Sequence, residues 1–78
     1  MAIAFLLINT DLGAEDKVVS EMRKIANVEE AYVTYGVYDI VARVESESLE
    51  TLKEIVTSKV RRLSNVLSTL TTVVVEES

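Results

Sequence analysis

Residues 2–9, AIAFLLIN, are apolar at nearly every position. A run that short and continuous predicts a strand covered on both faces, because a half-solvated strand would alternate. TDLGAED follows with turn residues and then acids, the chemistry of a helix entry, and Glu15 and Asp16 suit the positive end of a helix dipole. Val18, Val19, Met22, Ile25 and Ala26 then recur at helical spacing as one stripe, which Asn27 closes. Two β-rich runs, 28–35 and 38–44, flank Gly36-Val37, and a two-residue connection with a glycine predicts a hairpin. ESESLE supplies the next helix entry, with Ser46 or Ser48 as N-cap. Leu49, Leu52, Ile55, Val56, Val60 and Leu63 give that helix one apolar face, with acids at its front and Lys59, Arg61 and Arg62 at its back. RLSN ends it, and the β-branched run VLSTLTTVVVEE from Val66 makes a last strand.

The order β-α-β-β-α-β, folded under the chirality of crossover connections, is an α+β, ferredoxin-like sandwich. It predicts a single domain over residues 1–78, with one four-stranded antiparallel sheet and both helices on one face. The other face ought then to be polar, and it is not. Ile3, Phe5 and Leu7 lie on one side of the first strand while Ala4, Leu6 and Ile8 lie on the other, and Val73, Val74 and Val75 serve both sides of the last. An apolar sheet face left open invites aggregation. A second copy of the same face is the economical cover, since a two-fold interface is self-complementary, so the chain is expected to be a homo-oligomer through its open sheet.

Composition narrows the chemistry. The 78 residues carry a net charge of −5, and neither cysteine nor histidine occurs. Disulfides and the usual zinc sets are excluded, and no cofactor is indicated. The acidic balance argues against direct nucleic-acid binding, which needs clustered cations on phosphates. The apolar start lacks a basic leader and is too short to span a bilayer, so a cytoplasmic chain with no membrane contact is expected.

The candidate site lies in YVTYGVYDIV, residues 32–41. Gly36 has a sufficient explanation in a turn that wants positive φ, and Tyr38 in a half-buried strand aromatic. Asp39 is harder to place, because aspartate is depleted in strands and a carboxylate near an interface needs a partner. That partner is either a strand neighbour such as Arg43 or the ammonium group of a small molecule whose carboxylate meets free turn N–H groups. A second cluster, Thr69 and Thr71 on one face of the last strand, is either good strand composition or a set of polar anchors at an interface.

VEEAYVTYGVYDIVARV, followed after a helix by NVLSTLTTVVV, resembles the effector-binding RAM domain of Lrp/AsnC-type transcription regulators. The resemblance spans essentially the whole chain. It rests on the apolar-Glu-x-Ala opening of the second strand, the Gly-x-Tyr-Asp turn, and Val66 with Thr69 and Thr71. It implies that amino acids or related metabolites bind between subunits, that sheets pack into dimers, and that dimers assemble further. Carried over, Gly36, Val37 and Tyr38 line the site, Asp39 holds the α-amino group, and Thr69 and Thr71 reach in from a neighbouring chain. Two departures stand out. No helix-turn-helix precedes the first strand, so the resemblance implies a stand-alone form, regulating transcription indirectly or by joining full-length relatives. Asn65 stands where the family often has glycine, a tolerable change because asparagine also visits left-handed conformations.

Two other classes share the element order. A small dimeric isomerase or oxygenase would have little beyond Asp39 and a tyrosine for acid–base work. An ACT-type amino-acid sensor would use Leu12, Gly13 and Ala14 in the first strand–helix loop instead.

Overall fold

The computed structural model describes residues 1–75 of the chain. Its elements run β1 (Ala2–Thr10), α1 (Glu15–Met22), β2 (Val28–Val33), β3 (Ile40–Ser46), α2 (Leu49–Ile55), a π-helical turn (Val56–Val60) and β4 (Val66–Val73). The four strands form one antiparallel sheet in the order β2-β3-β1-β4. This is the ferredoxin-like α+β arrangement that the pattern predicts.

Register explains the core. β1 and β3 pair from Ala2 against Ser46 to Ile8 against Ile40. Side chains alternate across a strand, so Ala4, Leu6 and Ile8 share a face with Ile40, Ala42 and Val44, and all six are buried. α1 packs over β2 and α2 over β1 and β3, delivering Val18, Val19 and Met22 from one helix and Leu52, Val56 and Val60 from the other. β4 lies at the margin of this core, with Val66 and Val73 half-buried and Thr71 exposed.

Several boundaries differ from the sequence expectation. α1 ends at Met22, and turns carry the chain from there to Val28, so Ile25 is half-buried and Ala26 exposed instead of completing a helical stripe. Of the two serines, Ser48 is the N-cap of α2, and its hydroxyl accepts from Thr51 N–H at 3.2 Å. Leu49 falls just outside the buried face of that helix and is exposed. Its last turn widens at Val56–Val60, where Val56 and Val60 are buried together. The β2–β3 connection is also longer than a two-residue hairpin. Thr34 N–H donates to Asp39 O at 2.9 Å, leaving Tyr35 to Tyr38 as the loop, and Gly36 at φ +143° occupies a region that L side chains rarely adopt. The expected continuation of the last strand through Glu76 and Glu77 lies outside the described residues.

Asn65 at φ +73° makes the left-handed step into β4. Its Nδ2 donates to Asp11 Oδ2 at 2.9 Å, and its carbonyl accepts from Asp11 N–H at 2.9 Å. This two-point clasp ties the start of β4 to the end of β1. No helix among the described residues is long and apolar enough to cross a membrane.

Candidate functional site

The sequence motif Gly36, Val37, Tyr38, Asp39 forms the loop at one end of the sheet, beside the last residues of β1. Tyr35 and Val37 project fully or nearly so, at 105% and 81% exposure. Tyr38 and Asp39 are half-buried where the chain re-enters the sheet. Thr34 closes the loop, with its hydroxyl donating to the Tyr38 carbonyl at 2.9 Å.

Asp39 is held on three sides. Its N–H donates to Ile8 O at 2.9 Å, its carbonyl accepts from Thr34 N–H, and its carboxylate Oδ2 accepts from Thr10 N–H at 2.9 Å. Thr10 is buried, and the register between β1 and β4 shifts at Asn9 and Thr10. A strand that slips leaves a backbone N–H without its ladder partner, and the Asp39 carboxylate supplies one. Of the two partners the sequence left open for Asp39, Arg43 is not the one it meets. Arg43 turns instead to Glu30 at 3.1 Å and to Glu45. Oδ1 of Asp39 has no hydrogen-bond donor among the described residues, so the carboxylate keeps one acceptor oxygen for a further partner.

Thr69 and Thr71 share a face, as the alternation predicts, but it is the helix side. They pair with Ile8 and Leu6, whose side chains are in the core, while Ser68, Leu70 and Thr72 form the open side of β4. Thr69 sits across β1 from Asp39, about 10 Å away at two strand spacings. Its hydroxyl oxygen is buried with no hydrogen-bond partner. A buried polar atom left unpaired costs about 1–3 kcal/mol. Thr71, farther along, is exposed.

On the open face Phe5, Tyr32 and Leu70 are 40%, 52% and 49% exposed, with Ile3, Leu7 and Val41 half-buried among them. A polar corner completes the face on β2 and β3. Tyr32 Oη donates to Glu30 Oε2 at 3.0 Å, and Arg43 donates to Glu30 Oε1 and to Glu45. The tyrosine hydroxyl and the guanidinium both hold the Glu30 carboxyl below its ordinary range, and Glu30 pushes the Tyr32 hydroxyl up. Surface hollows lined by described residues lie elsewhere. One of about 450 Å³ opens between Met1, Asn27, Glu29, Glu45, Ser46 and Glu47, and one of about 260 Å³ lies along α2 from Thr51 to Lys59.

Sequence reasoning missed Thr10, Asp11 and Asn65 as a connected set behind the loop. Asn65 carries a local signal, its tolerance of positive φ. Thr10 carries none, because its partner Asp39 is 29 positions away.

Fold and site together define a small α+β domain, with a carboxylate beside the loop at one end of a sheet whose apolar face is open. Residues 3–78 match the model of the Lrp/AsnC ligand binding domain, and the chain belongs to that family. The family's domain is regulatory, not enzymatic. Among solved structures, FFRP-DM1 is 35% identical, covering 96% of this chain and 100% of that one at a TM-score of 0.92. Hypothetical protein PHS023 from Pyrococcus horikoshii is likewise 35% identical, covering 99% and 93% at 0.92. The L-Met complex of the transcriptional regulator NMB0573 from Neisseria meningitidis shares the fold at a TM-score of 0.87 and 15% identity; 97% of this chain aligns with 51% of that longer one. No curated protein matches the chain.

Proposed function

We propose that this domain senses an amino acid, or a closely related metabolite, at a site formed where protomers meet, and that it influences transcription without touching DNA itself. The observation that carries the reading is the uncovered apolar sheet of Ile3, Phe5, Leu7, Val41 and Leu70 in a member of a ligand-binding family. A second copy laid on that face removes it from water and supplies walls for the loop at 35–38. Within the site, Asp39 Oδ1 takes the ligand's ammonium group, loop N–H groups at Gly36, Val37 and Tyr38 meet its carboxylate, and Thr69 and Thr71 of a neighbouring chain add hydroxyls. The unpartnered Thr69 hydroxyl supports that assignment. The NMB0573 complex with L-Met supports the ligand class by analogy.

Being acidic, with net charge −5, the domain acts by assembling in the cytoplasm with itself or with full-length relatives. Two measurements test this. A thermal-shift screen of the twenty amino acids is expected to give a rise with at least one, because a ligand that prefers the folded state stabilises it by mass action. Sedimentation is expected to show an oligomer that Phe5→Glu breaks down. No shift with any amino acid removes the sensing role; a wild-type monomer at micromolar concentration removes the interface.

A further inference from the structure

The end of the sheet opposite the 35–38 loop carries the hollow of about 450 Å³ lined by Met1, Asn27, Glu29, Glu45, Ser46 and Glu47. Three separate parts of the chain meet there. Ala2 at the start of β1 pairs with Ser46 at the end of β3, and the turns after α1 deliver Asn27. That residue grips the end of β3 from both sides: its Nδ2 donates to Glu45 O at 3.0 Å, and its carbonyl accepts from Glu45 N–H at 3.0 Å. The register shift between Val28 and Glu30 leaves Glu29 outside the regular ladder, the arrangement by which a bulge re-aims a side chain.

The side chains around this hollow offer acceptors that nothing fills. Of its three carboxylates only Glu45 has a cation, Arg43, which takes Oε2; Glu29 and Glu47 are exposed and form no ion pair among the described residues. Asn27 commits its Nδ2 to Glu45, while its Oδ1 accepts no bond among the described residues. Ser46 is only 8% exposed and also lines the hollow. Its hydroxyl oxygen is approached by Ser48 N–H at 3.5 Å, beyond the range of about 2.7–3.2 Å for such bonds. Buried hydroxyls ordinarily find a partner, so this one leaves lone pairs open to a donor in the hollow. A cavity lined by one sign of charge also concentrates counter-ions of the other.

We infer that this hollow is a second small-molecule site, and that it takes a linear aliphatic polyamine. Ammonium groups are donors only, which matches a lining of open acceptors. They meet Glu29, Glu47 and Glu45 Oε1, with Ser46 Oγ and Asn27 Oδ1 taking further N–H bonds, and the methylenes between them lie along Met1. A single metal ion fits less well, because no three acidic side chains among the described residues are grouped to ligate one. An amino acid fits less well too, because its carboxylate would face the glutamates. The two sites therefore differ in ligand and lie at opposite ends of the sheet, and this one does not depend on the proposed role of Asp39.

The test is an amide NMR titration of the full chain with spermidine at low salt. Saturating shifts are expected at residues 27–29 and 45–48, and n-butylamine, with one ammonium group, should bind at least about tenfold more weakly. Glu29→Gln and Glu47→Gln each remove one carboxylate and should each weaken spermidine by about tenfold, the share of one charge-assisted hydrogen bond. Both residues are exposed and outside the core, so circular dichroism and the urea midpoint should stay at wild-type values. Glu21→Gln, on α1, removes the same charge elsewhere and should leave the affinity unchanged. So should Asp39→Ala, which separates this hollow from the proposed amino-acid site. No saturating shift overturns the inference. Equal weakening by Glu21→Gln and Glu47→Gln reduces it to general attraction toward a chain of net charge −5, and loss of binding in Asp39→Ala moves the polyamine to the loop; either result overturns the hollow as its site.

Discussion

Replacing Asp39 separates its structural task from its proposed ligand task. Asp39→Ala removes the acceptor for Thr10 N–H, a 2.9 Å bond from a buried residue to a carboxylate. Hydrogen bonds to charged groups contribute about 1.5–3 kcal/mol, and the half-buried setting of Asp39 puts the loss near 2 kcal/mol. For a domain of this size that lowers the melting temperature by roughly 8–16 °C. Asp39→Asn keeps an amide oxygen for the same N–H and loses only the charge-assisted part, about 1 kcal/mol. The assay is urea denaturation at fixed protomer concentration, because association makes apparent stability concentration-dependent. The order should be wild type, then Asn, then Ala, with one common slope against denaturant. A saturating amino-acid ligand should then stabilise the wild type, by about 2.7 kcal/mol at a hundredfold excess over Kd, and neither variant, since an amide does not replace the carboxylate opposite an ammonium group. An Ala variant as stable as wild type would refute the clasp. An Asn variant that still responds fully to ligand would remove Asp39 from the site.

Other consequences are simpler to measure. Leu6→Ala empties a fully buried position on the central strand and should cost about 2–5 kcal/mol in calorimetric or denaturant unfolding. Asn65→Gly keeps the positive φ and forfeits only the side-chain bond to Asp11; Asn65→Val adds backbone strain of about 1–3 kcal/mol, so it should melt well below the glycine variant. Because the folded carboxyl of Glu30 is depressed, its contribution is complete above the ordinary carboxyl range and disappears as pH falls through the lower folded value. Wild-type stability at low salt should therefore fall more steeply with decreasing pH than the remaining carboxylates alone dictate, and Glu30→Gln should flatten that limb; identical acid limbs would exclude the pair.

Much of the molecule was legible before its coordinates. The continuous apolar run at 2–9, the helical stripe over 49–63 and the β-branched run over 66–73 report what each segment buries, and these suffice for the element order and fold class. The excess of apolar residues in β1 shows that both sheet faces carry hydrophobic side chains. The Gly-x-Tyr-Asp stretch marked the loop, and Asn65 was expected to tolerate the left-handed step it makes at φ +73°.

What the chain alone left open was decided by contacts between distant positions. Parity along β4 puts Thr69 and Thr71 on one side, but only pairing with β1 reveals that the side is the helix layer. Asp39 reads locally as an acid in need of a cation, yet Thr10 N–H, stranded by a register shift, is what it binds. Arg43 meets Glu30 across the β2–β3 pair and Glu45 two places along its own strand. α1 stops at Met22 although its apolar stripe continues, because the chain must turn to bring Val28 under the core. Local patterns fix what each segment wants to bury. Which partner it meets depends on strand order and register, and those are settled only when all four strands and both helices compete for the same interior.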